Sequence, residues 1–586
     1  MKQDVKVRLD GLLLLAVVLL LAFTRFADLD ARPLSDTEAV HALSAAVSTQ
    51  GASEFWGFDE TAIVRSPLYH ISTHLLFQVF GAEDSIARIV PAFAGFLLLL
   101  LVVFLWRAGP PESKLLWLLL LGFSPVVLTA SRTANGDILM APALFAMLLM
   151  LLHKDQSEFS RPDISFALAA GVALSAGSSV FKALTGIMFT ALLIIAIPRG
   201  DREPWVSLER LKILLKSAWL IPVTGLLISS GFGGWPEGIQ GFAFALEQWL
   251  MGWVQPSGHS VLELILLLTT TEPLILLFGI TGAVRFWSDR ESPGRFAACW
   301  ALGAGIFIVF YQGRTPLDLI WLILPLSYLA VHAILELVNS LLHMSSTQEL
   351  VGLVALLVTF AASAALSIVS YGNGNVLTIN PSNPNLVLLL FLALGIMGLS
   401  VLVFFGIGWS WSIVIQAVGI LAIILALSQG ISSFWRLNFT HEGYHVTELW
   451  WQTTPARALP LMVKSLENSA IAYSGQRDTL PIEVQDNPPA SLAWALRDFQ
   501  KAEGETSFGL EATPVVLTLD VNTEVNLPAD YIGQTLGVRE LRAWQSALPP
   551  NIFRWWIARE APTKVEKWVL WLRVDIASFG EIELGG

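Results

Sequence analysis

Residues 29–88 read LDARPLSDTEAVHALSAAVSTQGASEFWGFDETAIVRSPLYHISTHLLFQVFGAEDSIAR. Most of the surrounding chain is apolar, and this stretch is not. It holds several acids, the histidines His41, His70 and His74, and Arg65 directly before Ser66-Pro67. The pattern predicts an acidic helix start at 35–38, a Gly/aromatic turn, and an amphipathic helix over 67–79. A polar segment of this length, flanked by apolar runs, separates a first membrane crossing from a second. The flanking runs support that reading. Leu12–Ala22, Phe96–Trp106 and Leu386–Phe405 suit a hydrocarbon core of ~30 Å.

Composition agrees. The chain has 586 residues, 54% hydrophobic and 14% charged, with mean hydropathy +0.63, whereas soluble domains are about one quarter charged. The fold class is therefore a polytopic α-helical membrane protein. About thirteen spans are predicted, near 9–27, 88–107, 115–130, 137–153, 164–181, 183–198, 217–231, 261–284, 296–312, 317–335, 350–371, 386–406 and 411–430. Lys2, Lys6 and Arg8 precede the first span, which reads as a retained anchor because no small-residue cleavage site follows. The N-terminus and the short loops 107–114, 154–161, 199–216 and 285–295 are basic, whereas 231–260 and 371–385 carry no Lys or Arg. By the positive-inside rule the N-terminus is cytoplasmic, and 29–88 and the C-terminal part are extracytoplasmic. The expected location is the plasma membrane. Net charge is −12, which argues against a nucleic-acid partner. The single cysteine, Cys299, excludes a disulfide framework and a Cys-based metal site.

The expected domains are 1–430, the transmembrane part with 29–88 as its first extracytoplasmic segment, and 431–586, a small α/β domain. In the latter, strand-like runs at 447–452, 470–473, 480–485, 514–520 and 568–576 alternate with helical patterns at 455–468, 489–501 and 536–547.

Several residues could carry chemistry, and each has a plainer reading. Asp36 and Glu38 could provide a carboxylate that takes a proton from an acceptor hydroxyl. Ser35 with Glu38 three residues on is equally a helix capping box, and spacing alone favours the cap. Arg65 at a helix start suits a phosphate, or snorkels to headgroups. His70 and His74 share a helix face, which permits a divalent metal site, with His41 and His259 as further ligands, or leaves them simply interfacial. Arg132 and Asp137 in SRTANGDILMAP either pair with each other or point into a polar cavity. Lys182 in SSVFKALTG and Arg314 in FYQGRTPLDLI interrupt apolar sequence and call for an anion or an acid partner. Arg65, Arg132, Lys182 and Arg314 all fall at outer span ends, against the positive-inside trend, which favours an anionic ligand there.

Taken together, RSPLYHISTHLLFQVFGAEDSIARIVPAFAG, SRTANGDILMAP, FKALTG, GRTPLDLIWLILPL and the tail segments ELWWQTTPARALPLMVKSLE and SLAWALRDF resemble the GT-C glycosyltransferases. Within them the chain is most similar to the glycosyltransferase 39 type, the branch of protein O-mannosyltransferases and the lipid A aminoarabinose transferase, and to a prokaryotic flippase-associated mannosyltransferase family. The resemblance implies transfer of a sugar, a hexose such as mannose, from a polyprenyl phosphate to an extracytoplasmic protein, lipid or glycan, with inversion. It implies an acid in the first loop as base, here Asp36 with Glu38 in support. It implies Arg65 on the donor phosphate. Arg132, Lys182 and Arg314 are expected on the phosphate as well, with Asp137, Tyr69 and His41 orienting the site. The sequence departs from the family at Thr37, which occupies the position of the first acid of an Asp-Glu pair, and at Ala183 and Gly313, where an acid beside the cation is missing. Either Asp36 substitutes through a changed helix start, or catalysis is weakened or lost. The rival functions are a carrier-lipid binder or flippase accessory, which needs the cations but not the acids, and a structural membrane subunit.

Overall fold

A computed structural model describes residues 2–50, 66–104, 111–152, 161–196, 208–288, 293–343, 347–372, 384–440, 445–477, 479–485, 488–499, 513–520 and 527–577. Among them, six helices are long and apolar enough to cross a membrane: Asp84–Val103, Pro293–Phe310, Pro316–Leu342, Thr347–Val369, Leu389–Gly408 and Trp411–Phe439. Four shorter apolar helices, Gly11–Phe26, Asp137–Leu151, Pro162–Ser175 and Ser179–Ile195, stand with them. The last long helix continues past position 430 to Phe439, so the composition change there lies inside a helix.

Stretches expected as single spans are broken. Residues 115–130 form Glu112–Gly122 and Pro125–Ser131, bent by 62°, and 261–284 form Val261–Thr271 and Pro273–Trp287, bent by 100°. Hydropathy runs through both breaks, but a proline stands at each. Its ring removes an N–H and clashes with the preceding turn, and the residue before it leaves the helical region. The breaks are joined to each other. The Glu272 carboxylate accepts from the Val126 N–H at 2.9 Å and from the Ser124 hydroxyl. A third bent pair, Leu211–Ser217 with Leu220–Ser229, turns by 49°.

Helix contact is close where side chains are absent. A Cβ on Gly279 or Gly282 would meet the carbonyl oxygens of Leu326 and Leu329 at 2.8 and 2.4 Å. Small residues permit such approach between apolar helices, whose association lipid does not drive. Trp117 adds a directed contact, its indole N–H donating to Ser327 Oγ at 2.8 Å.

The C-terminal part forms a five-stranded sheet of order β1-β4-β5-β3-β2, with β1 Thr453–Pro455, β2 Ile482–Val484, β3 Val515–Leu519, β4 Tyr531–Arg542 and β5 Thr563–Arg573. Among the described strands only β2 and β3 pair in parallel. Helix Ala458–Ser474 buries Leu459, Met462 and Leu466 in one core with Leu517, Trp568 and Leu570. Three local expectations change. Residues 447–452 fall on a short helical turn and the loop after it, 470–473 end the helix Ala458–Ser474, and the helix expected over 536–547 is β4. Gly533 and Gly537 lower the strand character of β4 as read from sequence. The pairing explains them, since a Cβ at Gly533 would meet the Trp571 ring at 2.5 Å.

The sheet domain is tied to the helical part by directed bonds. Trp494 Nε1 donates to Asp84 at 2.6 Å, Arg497 Nε to the Ala82 carbonyl at 2.8 Å, and Gln452 to the Ser257 carbonyl at 2.7 Å. Arg542 pairs with Glu263.

Candidate active site

Helix Asp36–Gln50 begins as the capping box requires. The Ser35 N–H donates to Glu38 Oε2 at 3.0 Å, and the Glu38 N–H to Ser35 Oγ at 3.4 Å. Glu38 does more than cap. Arg88 donates to both its oxygens, Nε to Oε1 at 2.9 Å and Nη2 to Oε2 at 3.1 Å. The Ala134 N–H adds a bond at 3.0 Å. Burial pushes this carboxyl up, but Arg88, Arg32 and the Ala134 N–H outweigh it and hold it at about 2. Glu38 is fully enclosed, so it is a charged pin between three segments. Position 88, read from sequence only as the start of a span, supplies its counter-charge.

Asp36, two residues earlier, faces the sheet domain. Its Oδ1 accepts from the Ser491 N–H at 3.1 Å and hydroxyl at 2.6 Å, and its Oδ2 from Arg539 Nη1 at 3.1 Å.

The segments singled out in the sequence meet close by. Arg65 lies outside the described residues. Its neighbour Ser66 donates to the Ala176 carbonyl at 2.7 Å. A Cβ on Gly136 would lie 1.9 Å from Ser66 Oγ, so only glycine lets Ser66 sit against the 135–137 turn. Gly136→Ala should therefore lower stability by about 1–3 kcal/mol, as overpacking does. A thermal unfolding midpoint equal to that of the wild type would contradict this contact. Asp137 follows, accepting from the Ser179 hydroxyl. One turn along the same helix, Lys182 Nζ donates to Asp318 at 3.2 and 3.3 Å, and lies 5.6 Å from the Tyr311 ring centre. Lys182 and Asp318 are both buried.

Asp318 is not among the candidate residues drawn from sequence, although it lies within the GRTPLDLIWLILPL segment. Its signal was present: Thr315-Pro316-Leu317-Asp318 is a capping box, and the Thr315 N–H donates to Asp318 Oδ2 at 2.8 Å. An acid at the start of a span also calls for a partner. The acid expected beside Lys182 therefore comes from another helix.

Two expected phosphate ligands are placed differently. Arg132 donates to the carbonyls of Thr24, Ala27 and Asp28 at 2.9, 2.7 and 2.8 Å and lies over the Phe439 ring. Arg314 donates to the carbonyls of Ile308 at 2.8 Å and of Val309 and His259 at 3.2 Å. Helix C-termini leave such carbonyls without partners, and a span-end arginine satisfies them. Tyr69 donates to the Ala87 carbonyl at 2.9 Å, with the His41 ring edge-on at 5.7 Å. His70 stacks on Trp235 at 4.0 Å and on His74 at 6.2 Å. Burial, then His74, lowers the His70 imidazole to about 3, so it is neutral. Among the described residues no group of three His, Cys, Asp or Glu converges as metal ligands. The pair forms an aromatic stack with Trp235.

Residues 65–229 match the family model of dolichyl-phosphate-mannose-protein mannosyltransferase. That range includes the Arg65, Asp137 and Lys182 segments and leaves out Asp36, Glu38 and Asp318. The structure is similar to the crystal structure of ArnT from Cupriavidus metallidurans bound to undecaprenyl phosphate, with TM-score 0.51 and 16% identity over 84% of this chain and 85% of that one. The chain has the GT-C fold. The apo structure of the same ArnT is similar in the same way, with TM-score 0.50 and 15% identity over 88% and 87% of the two chains. A search of the curated proteins finds no match. The GT-C fold agrees with the resemblance read from the motifs, and with the apolar helices it makes this a membrane protein.

Proposed function

We propose that the protein transfers a sugar from a polyprenyl-phosphate donor to an acceptor at the outer face of the plasma membrane. The observation that carries this reading is the convergence of the 66, 136–137, 176–182 and 311–318 segments on one buried lysine of a GT-C bundle. The lipid phosphate bound by ArnT supports the ligand class. The family matched over 65–229 supports a hexose such as mannose. Protein, lipid and glycan acceptors all fit an outer-face site.

In this reading Lys182 and Arg65 take the donor phosphate. An ammonium has about three donor positions, and Asp318 holds Lys182 from one side while the phosphate takes another. Asp137 orients the lysine. Arg132 and Arg314 are held by backbone carbonyls and act on the phosphate through their positive potential. Asp36 is the base. A carboxylate has about four acceptor positions, and Ser491 and Arg539 leave one for the proton of the acceptor hydroxyl. The base acts on the sugar face opposite the departing phosphate, so the anomeric carbon inverts. Holding the phosphate charge as it develops contributes as much as the base.

Lys182→Gln should weaken undecaprenyl phosphate binding about 10–100-fold, the share of a hydrogen bond to a charged group. Lys182→Gln also leaves Asp318 buried without its cation, which destabilises the fold, so the double variant Lys182→Gln, Asp318→Asn should recover folding without recovering affinity. An unchanged Kd in the double variant would remove Lys182 from the phosphate site.

One observation favours a second reading, a carrier-lipid binder without turnover. Both acids of the first loop are engaged by protein groups, Asp36 by the sheet domain and Glu38 by Arg88. Such a binder shares the phosphate site and lacks the base.

A further inference from the structure

We infer that Arg539 of the sheet domain is a positioning residue of the transfer reaction, fixing the Asp36 carboxylate so that the outer domain completes the active site. This rests on the reading of Asp36 as the base.

Three observations carry it. The first is the bond itself, Arg539 Nη1 to Asp36 Oδ2 at 3.1 Å. The second is what holds the arginine. Glu566, its cross-strand partner on β5, accepts from Arg539 Nε at 3.0 Å and Nη2 at 2.8 Å, while Trp568 Nε1 donates to the other Glu566 oxygen at 3.2 Å. A guanidinium gripped along one edge presents its remaining N–H groups, Nη1 among them, in fixed directions. The third is the strand. The β4–β5 register shifts between Gly537 and Arg539, and such bulges re-aim a side chain beside a site. The bulge falls where the chain turns from Val538, fully buried in the sheet core, to Arg539, aimed at the start of helix Asp36–Gln50.

Arg539 and Ser491 together bind both oxygens of Asp36, so the carboxylate cannot rotate about its own axis. Its free acceptor position then has one direction. Arg539 exchanges no proton with substrate. Its effect is confined to where the base points, and so to kcat.

The test uses the full-length chain in lipid nanodiscs, with undecaprenyl-phosphoryl-mannose as probe, water as the acceptor hydroxyl, and release of mannose and undecaprenyl phosphate as readout. Arg539→Gln should lower kcat about 10–100-fold, the cost of a misplaced group, with donor KM unchanged. Arg539→Lys should recover part of the loss. A docking role alone would instead shift KM and thermal stability and leave kcat. A wild-type or raised kcat in Arg539→Gln, while Asp36→Asn is inactive, overturns the positioning role and leaves Asp36 as the base. Full turnover in Asp36→Asn, or no release by the wild type, overturns both.

Discussion

Glu38→Gln should destabilise the protein by about 3–5 kcal/mol, because it leaves the Arg88 guanidinium buried without its counter-charge. The substitution keeps volume and shape, so packing is not the cause. Arg88 also donates to the carbonyls of Leu29 and Arg32, at 2.7 and 2.8 Å, so the whole turn before helix Asp36–Gln50 hangs on it. Arg88→Gln should cost a similar amount, and the double variant less than the sum, since the two residues form one network. The pH dependence has a definite sign. The Glu38 carboxyl is held at about 2, below its ordinary ~4.3, so its contribution is full above ordinary carboxylate pKa values. It is lost as pH falls toward about 2. Thermal unfolding of purified protein across pH measures both effects. A Glu38→Gln midpoint equal to the wild type would mean that the pair does not hold the fold.

Asp36→Asn should lower turnover by about 10²–10⁴-fold, the share of a general base, and leave undecaprenyl phosphate binding nearly intact. Asn still accepts from Ser491 but gives Arg539 no charge, so a modest loss of domain docking should accompany the change. Glu38 is enclosed by Arg88, Ser35 and Ala134, so any turnover lost in Glu38→Gln should follow the folded fraction. If Glu38→Gln stays folded and inactive while Asp36→Asn turns over, the base is misassigned within the same reaction class. If neither acid matters to turnover and Lys182 still matters to binding, the carrier-lipid binder is the correct reading.

Much of this arrangement was legible because it is local. The Ser35–Glu38 capping box, the Ser66-Pro67 helix start and the apolar runs follow from neighbours in sequence. What was not legible is non-local. Nothing near Lys182 announces Asp318, 136 positions away. Nothing near Asp36 announces Arg539. Arg132 and Arg314 show why charge at a span end is ambiguous. An unpartnered carbonyl and a bound phosphate ask for the same side chain, and sequence does not say which is closer. The bends at Pro125 and Pro273 were within reach of a reading that weighted proline above hydropathy. Strand β4 was harder. Its glycines make room for Trp571 and Val565 on the neighbouring strand, and that fit exists only once the strands are paired.

The most direct measurement is a cryo-electron microscopy structure of the full chain with undecaprenyl phosphate. The expected result is a phosphate within hydrogen-bond reach of Lys182 Nζ and beside Arg65, with Asp36 opening on the same cavity. A phosphate at the other end of the bundle, or a lipid resting only on the exposed faces of Thr347–Val369 and Leu389–Gly408, would contradict it.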